Sequence, residues 1–140
     1  MAAFNKFNSF VEALAEKVHN LGSDTLKVML TNTAPVATNS IKTNITEISA
    51  GNGYTAGGNT AAVTSSAQTS GTYKLVLGDP ATFTASGGSI GPFRYAVLYN
   101  DTATNKELIG WWDYGSSVTL ASGESFTVDF DPTTGVLTLA

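Results

Sequence analysis

The chain has 140 residues, the length of about one domain, and its 7 basic and 11 acidic residues leave a net charge of −4. The basic residues are scattered, which excludes the clustered Lys and Arg with which proteins neutralise nucleic-acid phosphates. The sequence has no cysteine for a disulfide and no apolar run long enough for a transmembrane helix. We therefore expect one domain, residues 1–140, that binds neither nucleic acid nor membrane.

The composition favours β-structure. Threonine and serine together occupy 33 positions, and charged residues make up only 13% of the chain. Threonine is β-branched and packs well on a pleated sheet, whereas the charged residues that favour helices are scarce. The chain is therefore predicted to be mainly β.

An amphipathic helix over residues 5–21 is the first predicted element. Apolar side chains recur at intervals of three and four, at Phe4, Phe7, Val11, Leu14, Val18 and Leu21. Gly22 follows at the position where a helix C′ residue adopts positive φ without steric cost. His19, the sole histidine, is expected at the surface near the end of this helix, where the helix dipole favours it.

After Gly22 the hydrophobic period changes from 3.6 to 2, which is typical of strands. Residues 25–32 are predicted to form a strand with one buried face. Further strands are predicted at residues 60–66, 72–77, 81–85, 93–100, 107–114, 118–120, 125–130 and 136–139. About 8–9 short strands without interleaved helices predict a β-sandwich or barrel over residues 25–140. The turn residues at 131–135 predict a hairpin between the last two strands.

Residues 34–59, here called the excursion, are polar and rich in glycine. Three isoleucines are the predicted anchors of this segment: Ile41, Ile45 and Ile48. The run GNGYTAGGN at residues 51–59 looks like a phosphate-binding loop, but it lacks the lysine and the following helix that such a loop requires. We expect a flexible or contact-making loop instead, and its candidate contact residues are Gly51, Asn52, Gly53 and Tyr54.

Trp111 and Trp112 form the densest aromatic cluster together with Tyr114. Adjacent strand residues point to opposite faces, so one indole is predicted to lie in the core and the other to face outward. An outward indole can stack on a sugar or anchor a protein interface. The structural alternative is that a sheet edge or the helix covers it. Both tryptophans are therefore candidate contact residues.

No arrangement of catalytic or metal-binding residues is predicted. With one histidine and no cysteine, a triad, a zinc site or a histidine base would have to be built around His19 alone. Asp129 and Asp131 are two residues apart, but Asp131 is better explained as the initiator of the turn before Pro132. We expect neither an enzyme nor a bound metal or cofactor.

Two blocks of sequence carry a resemblance to a known family. FNKFNSFVEALAEKVHNLGSDTLKVMLTNTAPVATNS at residues 4–40 and ITEISAGNGYTAGG at residues 45–58 resemble the capsid cement, or decoration, proteins of tailed bacteriophages, of the Bordetella phage type. The resemblance implies a jelly-roll-like β-sandwich that is made in the bacterial cytoplasm and binds the capsid exterior of the virion. It further implies a homodimer that bridges neighbouring subunits of the phage major capsid protein. The family supplies no catalytic position.

Two alternatives remain open at the level of sequence. A carbohydrate-binding or tail-associated receptor-binding β-module would use the outward tryptophan and neighbouring tyrosines as a stacking platform. Another virion component, such as a tail-tube or head-completion protein, has a composition that cannot be distinguished from that of a cement protein.

Overall fold

The computed structural model describes residues 2–140, which are mainly β with one short α-helix. The elements in chain order are β1 (Asn5–Lys6), α1 (Ser9–Ala15), β2 (Leu26–Thr31), a 3₁₀ helix (Lys42–Asn44), β3 (Asn59–Ala61), β4 (Val63–Thr69), β5 (Thr72–Leu77), β6 (Phe83–Thr84), β7 (Ile90–Asn100), β8 (Leu108–Leu120), β9 (Ser125–Phe126) and β10 (Leu137–Leu139). No helix within residues 2–140 is long and apolar enough to cross a membrane. The prediction of a mainly β chain with one N-terminal helix is confirmed.

The strands pair antiparallel in three sheets, ordered β1-β8-β7-β2-β3, β10-β5-β4 and β6-β9. One cluster of buried side chains, here called the main core, draws residues from all three sheets. It includes Val28 of β2, Leu75 of β5 and Phe83 of β6. The three sheets therefore enclose a common interior, into which alternate residues of each strand point.

The five-stranded sheet is buried on both faces at β2. Leu26, Val28 and Leu30 pack into the main core, whereas Met29 packs on the opposite face, and none of the four is more than 1% exposed. The prediction of a strand at this position is confirmed, but the prediction of a single buried face is wrong. Segments distant in sequence cover the second face, and alternation within β2 alone does not reveal them.

A second group of buried side chains, here called the outer cluster, covers that opposite face. Its members are Phe7, Met29, Ile45, Val97, Tyr99 and Leu108, with the partly buried Trp111 packed against them. Phe7 precedes α1 and Ile45 belongs to the excursion, so both approach the sheet from outside it. Burial of their apolar surface holds the N-terminal segment and the excursion against the sheet.

The helix is much shorter than predicted. Asn5 and Lys6 pair with β8 as strand β1, and α1 spans only Ser9–Ala15. Lys17 takes a left-handed φ of 67°, and the amide of Val18 donates to the carbonyl of Ala13 at 2.8 Å. This is the bond of a Schellman cap, so Lys17 occupies the C′ position. The predicted bounds, 5–21, are wrong because residues 5–6 pair with the edge of β8 and the helix ends at Ala15. Lys17, and not Gly22, therefore has the C′ position.

The strand predictions differ in accuracy along the chain. Residues 72–77 coincide with β5, whereas residues 60–66 divide at Ala62 into β3 of the five-stranded sheet and β4 of the three-stranded sheet. The segments predicted at 107–114 and 118–120 form one continuous strand, β8. At Ala62 the chain passes from the five-stranded sheet to the three-stranded sheet. Strand β4 lies at the edge of the latter, beside β5.

The turn at residues 131–135 is present, but the predicted hairpin is wrong. The carboxylate of Asp131 accepts the amide of Thr133 at 2.7 Å, and its carbonyl accepts the amide of Gly135 at 3.0 Å. The strands on either side do not pair with each other, because β9 pairs with β6 and β10 pairs with β5. Local turn chemistry is therefore correct here, while the choice of strand partner is decided by contacts distant in sequence.

Candidate functional site

The excursion is fixed to the sheet by a polar network centred on Glu47. One carboxylate oxygen accepts the hydroxyl of Tyr54 at 2.7 Å and also the amide of Gly57, while the other accepts Nζ of Lys42 at 2.9 Å. The Tyr54 hydroxyl accepts in turn the amide of Leu30 in β2 at 3.1 Å. Both oxygens of this carboxylate accept hydrogen bonds, and the carboxylate therefore holds the surrounding backbone in place.

Two further contacts complete this attachment. The hydroxyl of Tyr99 donates to the carbonyl of Gly57 at 2.7 Å. Gly58 lies so close to β2 that a Cβ atom there would sit 1.8 Å from the carbonyl oxygen of Val28. Burial raises the pKa of Tyr54 and of Tyr99 far above the ordinary range. Both phenols therefore keep their protons and remain hydrogen-bond donors.

Gly51, Asn52 and Gly53 form an exposed tight turn, here called turn 51–53. Gly51 and Tyr54 exchange backbone hydrogen bonds of 2.8 Å and 3.0 Å across it. Asn52 and Gly53 have φ of 55° and 101°, and positive φ at both central positions is what a type I′ turn with the sequence Asn-Gly requires. The turn is therefore well matched to its sequence.

Turn 51–53 packs against the loop that follows β6. The side-chain amide of Asn52 donates to the carbonyl of Ser89 at 3.0 Å, and its backbone carbonyl accepts the amide of Ser86 at 2.9 Å. A Cβ atom on Gly53 would lie 2.1 Å from the carbonyl oxygen of Thr84. These contacts hold the turn on one side and leave its other side exposed.

The predicted contact residues separate into exposed and buried ones. Gly51, Asn52 and Gly53 are exposed, whereas Tyr54 is 2% exposed and has its ring in the main core. Of the four candidates in the loop, Tyr54 therefore acts as an anchor beneath the turn and offers no surface to a partner.

Neither tryptophan stands free of the fold. Trp112 is 6% exposed and packs against Phe4 and Phe130, with ring centroids 5.4 Å and 5.2 Å away. Trp111 lies on the opposite face, partly buried, with the ring of Phe7 at 4.6 Å. One indole therefore lies in the core, as predicted, and the other faces the opposite side of the sheet, where Phe7 covers part of it.

An aromatic groove on the protein surface was not among the sites predicted from the sequence. Its wall is formed by Trp112, Tyr114, Phe126 and Phe130, around a cavity of about 220 Å³ that Asp129 also lines. Tyr114 is 58% exposed, and its ring meets that of Phe126 edge to face at 5.3 Å. Alternation along β8 places Tyr114 on the same face as Trp112, which is the signal that would have revealed the groove.

His19 is buried, so its predicted surface position is wrong. It is 5% exposed, and its Nδ1 lies 3.0 Å from the side-chain amide nitrogen of Asn100. That same nitrogen donates to the carboxylate of Asp24 at 2.7 Å. Burial lowers the pKa of His19, against opposing effects of Glu107 and Asp24. The partner of the ring is an amide and not a nucleophilic hydroxyl, so the arrangement is that of a buried structural histidine.

The two aspartates considered as an ion site have separate environments. Asp129 is exposed, and Asp131 is engaged by the amides of its own turn, which lower its pKa. No group of three or more His, Asp or Glu side chains placed to hold a metal ion occurs in the described residues, 2–140.

The chain matches no family model, no curated protein and no solved structure.

Proposed function

We propose that this protein is a structural component of a virion that binds the outer surface of a phage capsid and cements neighbouring major capsid subunits as a homodimer. The observation that carries the proposal is turn 51–53, whose three exposed residues are held rigid by contacts of Asn52 and Gly53 with the loop beneath them. A surface element that is already ordered binds without the entropic cost of ordering. The turn lies within the second block of sequence that resembles the cement proteins.

The proposal also covers the finer features that the resemblance implies. In this proposal the chain folds as a jelly-roll-like sandwich and is made in the bacterial cytoplasm before it joins the capsid exterior. A protein that binds only the assembled shell stabilises that shell by mass action, by about 2.7 kcal/mol per site at a hundredfold excess over the dissociation constant. Repetition over many symmetric sites adds these contributions.

Co-sedimentation tests the proposal, with purified chain added to heads of the phage whose genome encodes it, from which the protein has been removed. We expect wild-type chain to sediment with the heads and to restore their tolerance of heat and low salt. Asn52→Gly removes the side chain from turn 51–53 but keeps a residue that accepts positive φ, and it is expected to weaken binding by about tenfold or more.

Ser70→Gly is the matched control for this experiment. Ser70 and Gly71 are the central residues of the turn between β4 and β5, and they too have positive φ, 50° and 82°. We expect this variant to bind heads like the wild type. Failure of the wild-type chain to sediment with the heads, or equal binding by Asn52→Gly, would remove the support for the proposal.

The aromatic groove favours a second candidate function, recognition of a sugar by a receptor-binding or carbohydrate-binding module. Sugars offer apolar C–H faces to exposed rings such as Tyr114, and a carboxylate such as Asp129 accepts their hydroxyls. A glycan array with wild-type chain and Tyr114→Ala tests it. An array without signal, together with unchanged adsorption of virions carrying the variant, would eliminate this candidate.

A further inference from the structure

Strand β4 is the longest of the strands that stand at the end of a sheet. Over the part of the chain that the structure describes it pairs with β5 alone, and six of its seven residues are exposed. The other terminal strands of the three sheets have only two or three residues each. A long edge strand carries a row of backbone donors and acceptors that are ready to pair with another strand.

The register of the hairpin shows which backbone groups face outward. Thr69 and Thr72 flank the two-residue turn and therefore form the hydrogen-bonded pair next to it. Hydrogen-bonded and non-hydrogen-bonded pairs alternate along an antiparallel ladder. Gln68 and Ser66 consequently direct their N–H and C=O groups away from β5.

The neighbouring strand confirms this alternation. Leu75 of β5 stands opposite Ser66, and its carbonyl accepts the amide of Val136 at 2.8 Å, on the side away from β4. Leu75 is thus in a non-hydrogen-bonded pair with Ser66, as the register requires. The outward groups of Ser66 and Gln68 lie at the open edge of the sheet.

Strand β4 lacks the features that usually protect an edge from pairing. Natural edge strands carry charged side chains, proline or bulges that block a second strand. The sequence VTSSAQT contains no charge and no proline, and the one bulge, between Val63 and Ser65, leaves the rest of the strand regular. The one charged residue of β5, Lys74, donates its Nζ to the carbonyl of Thr133 at 2.8 Å.

We propose that β4 pairs antiparallel with β4 of a second copy of this chain about a two-fold axis, which joins two three-stranded sheets into one of six strands. Antiparallel pairing of identical strands brings like residues together, and small uncharged side chains allow this without repulsion. A different partner strand is often selected by complementary charges, and β4 has none. Two-fold contacts between identical copies are also the commonest form of oligomer.

The inference deepens the proposed function by naming the strand through which the two copies meet. One short strand pair supplies few hydrogen bonds, so the contact is weak in free solution and strengthened where copies are held close on a shell. Its test uses the chain alone, without capsids. Failure of strand pairing and failure of capsid binding are therefore distinguishable.

Sedimentation velocity over a series from micromolar to millimolar chain measures the association. Ser66→Pro removes one outward N–H from each copy, and Ser66→Thr keeps that N–H together with a hydroxyl. We expect the wild type and Ser66→Thr to dimerise equally, and Ser66→Pro to raise the dissociation constant by about tenfold or more, since two hydrogen bonds are lost per dimer. A chain that stays monomeric at every concentration, or a dimer unaffected by Ser66→Pro, would overturn the proposal.

Two measurements keep the test decisive if Ser66→Pro does not fold. If Ser66 of one copy pairs with Gln68 of the other, the two copies of Ala67 meet at the two-fold axis. Ala67→Lys and Ala67→Glu then each place like charges together, so each alone is expected to be monomeric and their mixture to form a heterodimer. In the wild type, hydrogen exchange at the amides of Ser66 and Gln68 should slow as concentration rises. A dimer in which these amides exchange independently of concentration, or in which neither charged variant changes the association, rules out pairing through β4.

Discussion

Asn100 donates its side-chain amide to Nδ1 of His19 at 3.0 Å, which fixes the proton of the neutral buried ring on the other nitrogen, Nε2. The same amide nitrogen donates to Asp24, and the carbonyl oxygen of Asn100 accepts the amides of Thr102 and Ala103. This one side chain therefore joins the segment that follows α1 to the end of β7. A proton on Nδ1 would break the contact with the ring.

The first prediction concerns the pH dependence of stability. Burial lowers the pKa of His19 below its ordinary value of 6.5, so the unfolded chain binds this proton more readily than the folded chain. The resulting stabilisation is complete above the ordinary value and is lost as the pH falls through it towards the lowered pKa. Urea unfolding from about pH 7 to about pH 5 should show a larger loss for the wild type than for His19→Gln, which does not titrate. Parallel losses in both chains would contradict this assignment.

The second prediction concerns the network that holds the excursion. Glu47→Gln leaves one carbonyl oxygen as an acceptor but turns amide protons towards Lys42, with which Glu47 forms an ion pair. We expect a loss of about 1–3 kcal/mol in the free energy of unfolding, measured in urea. Glu16→Gln, at an exposed glutamate, is the control and should lie within about 0.5 kcal/mol of the wild type. Equal stability of the two variants would show that the network does not anchor the excursion.

The third prediction separates steric contact from backbone strain. Gly58 and Gly51 both have positive φ, 74° and 123°, but only at Gly58 does an added Cβ meet another atom, the carbonyl oxygen of Val28. Gly51→Ala should cost about 1–2 kcal/mol from its backbone conformation alone, whereas Gly58→Ala should cost more than about 3 kcal/mol or prevent folding. Thermal melting followed by circular dichroism compares them. If the two alanine variants melt together, the close approach to β2 is not as described.

The fourth prediction tests the outer cluster. Phe7 is fully buried against Trp111, whereas Val11, on the same predicted apolar stripe, is 46% exposed. Phe7→Ala should cost about 3–5 kcal/mol and shift tryptophan fluorescence to the red, because water reaches the indole of Trp111. Val11→Ala should change stability by about 0.5 kcal/mol at most. A cost for Val11→Ala as large as that for Phe7→Ala would instead favour the long helix predicted from the sequence.

Local features of the sequence predicted part of this fold correctly. Alternation of apolar residues together with Ser70 and Gly71 placed β5 at its observed bounds. These features depend on neighbouring residues only, since a strand's period and a turn's φ angles are set within a few positions. The predicted helix began too early because residues 5–6 pair with the edge of β8 instead. The helical period of the N-terminal segment does not reveal this pairing.

The sequence by itself determined that this is a mainly β chain with tight turns at glycine and asparagine. Only the tertiary structure decided that Phe7 covers Trp111, that Asn100 engages His19, and that β10 pairs with β5 and leaves β4 as a free edge. The reason is physical. Strand period and turn conformation follow from adjacent residues, whereas burial and strand partnership are settled by competition among segments distant in the chain.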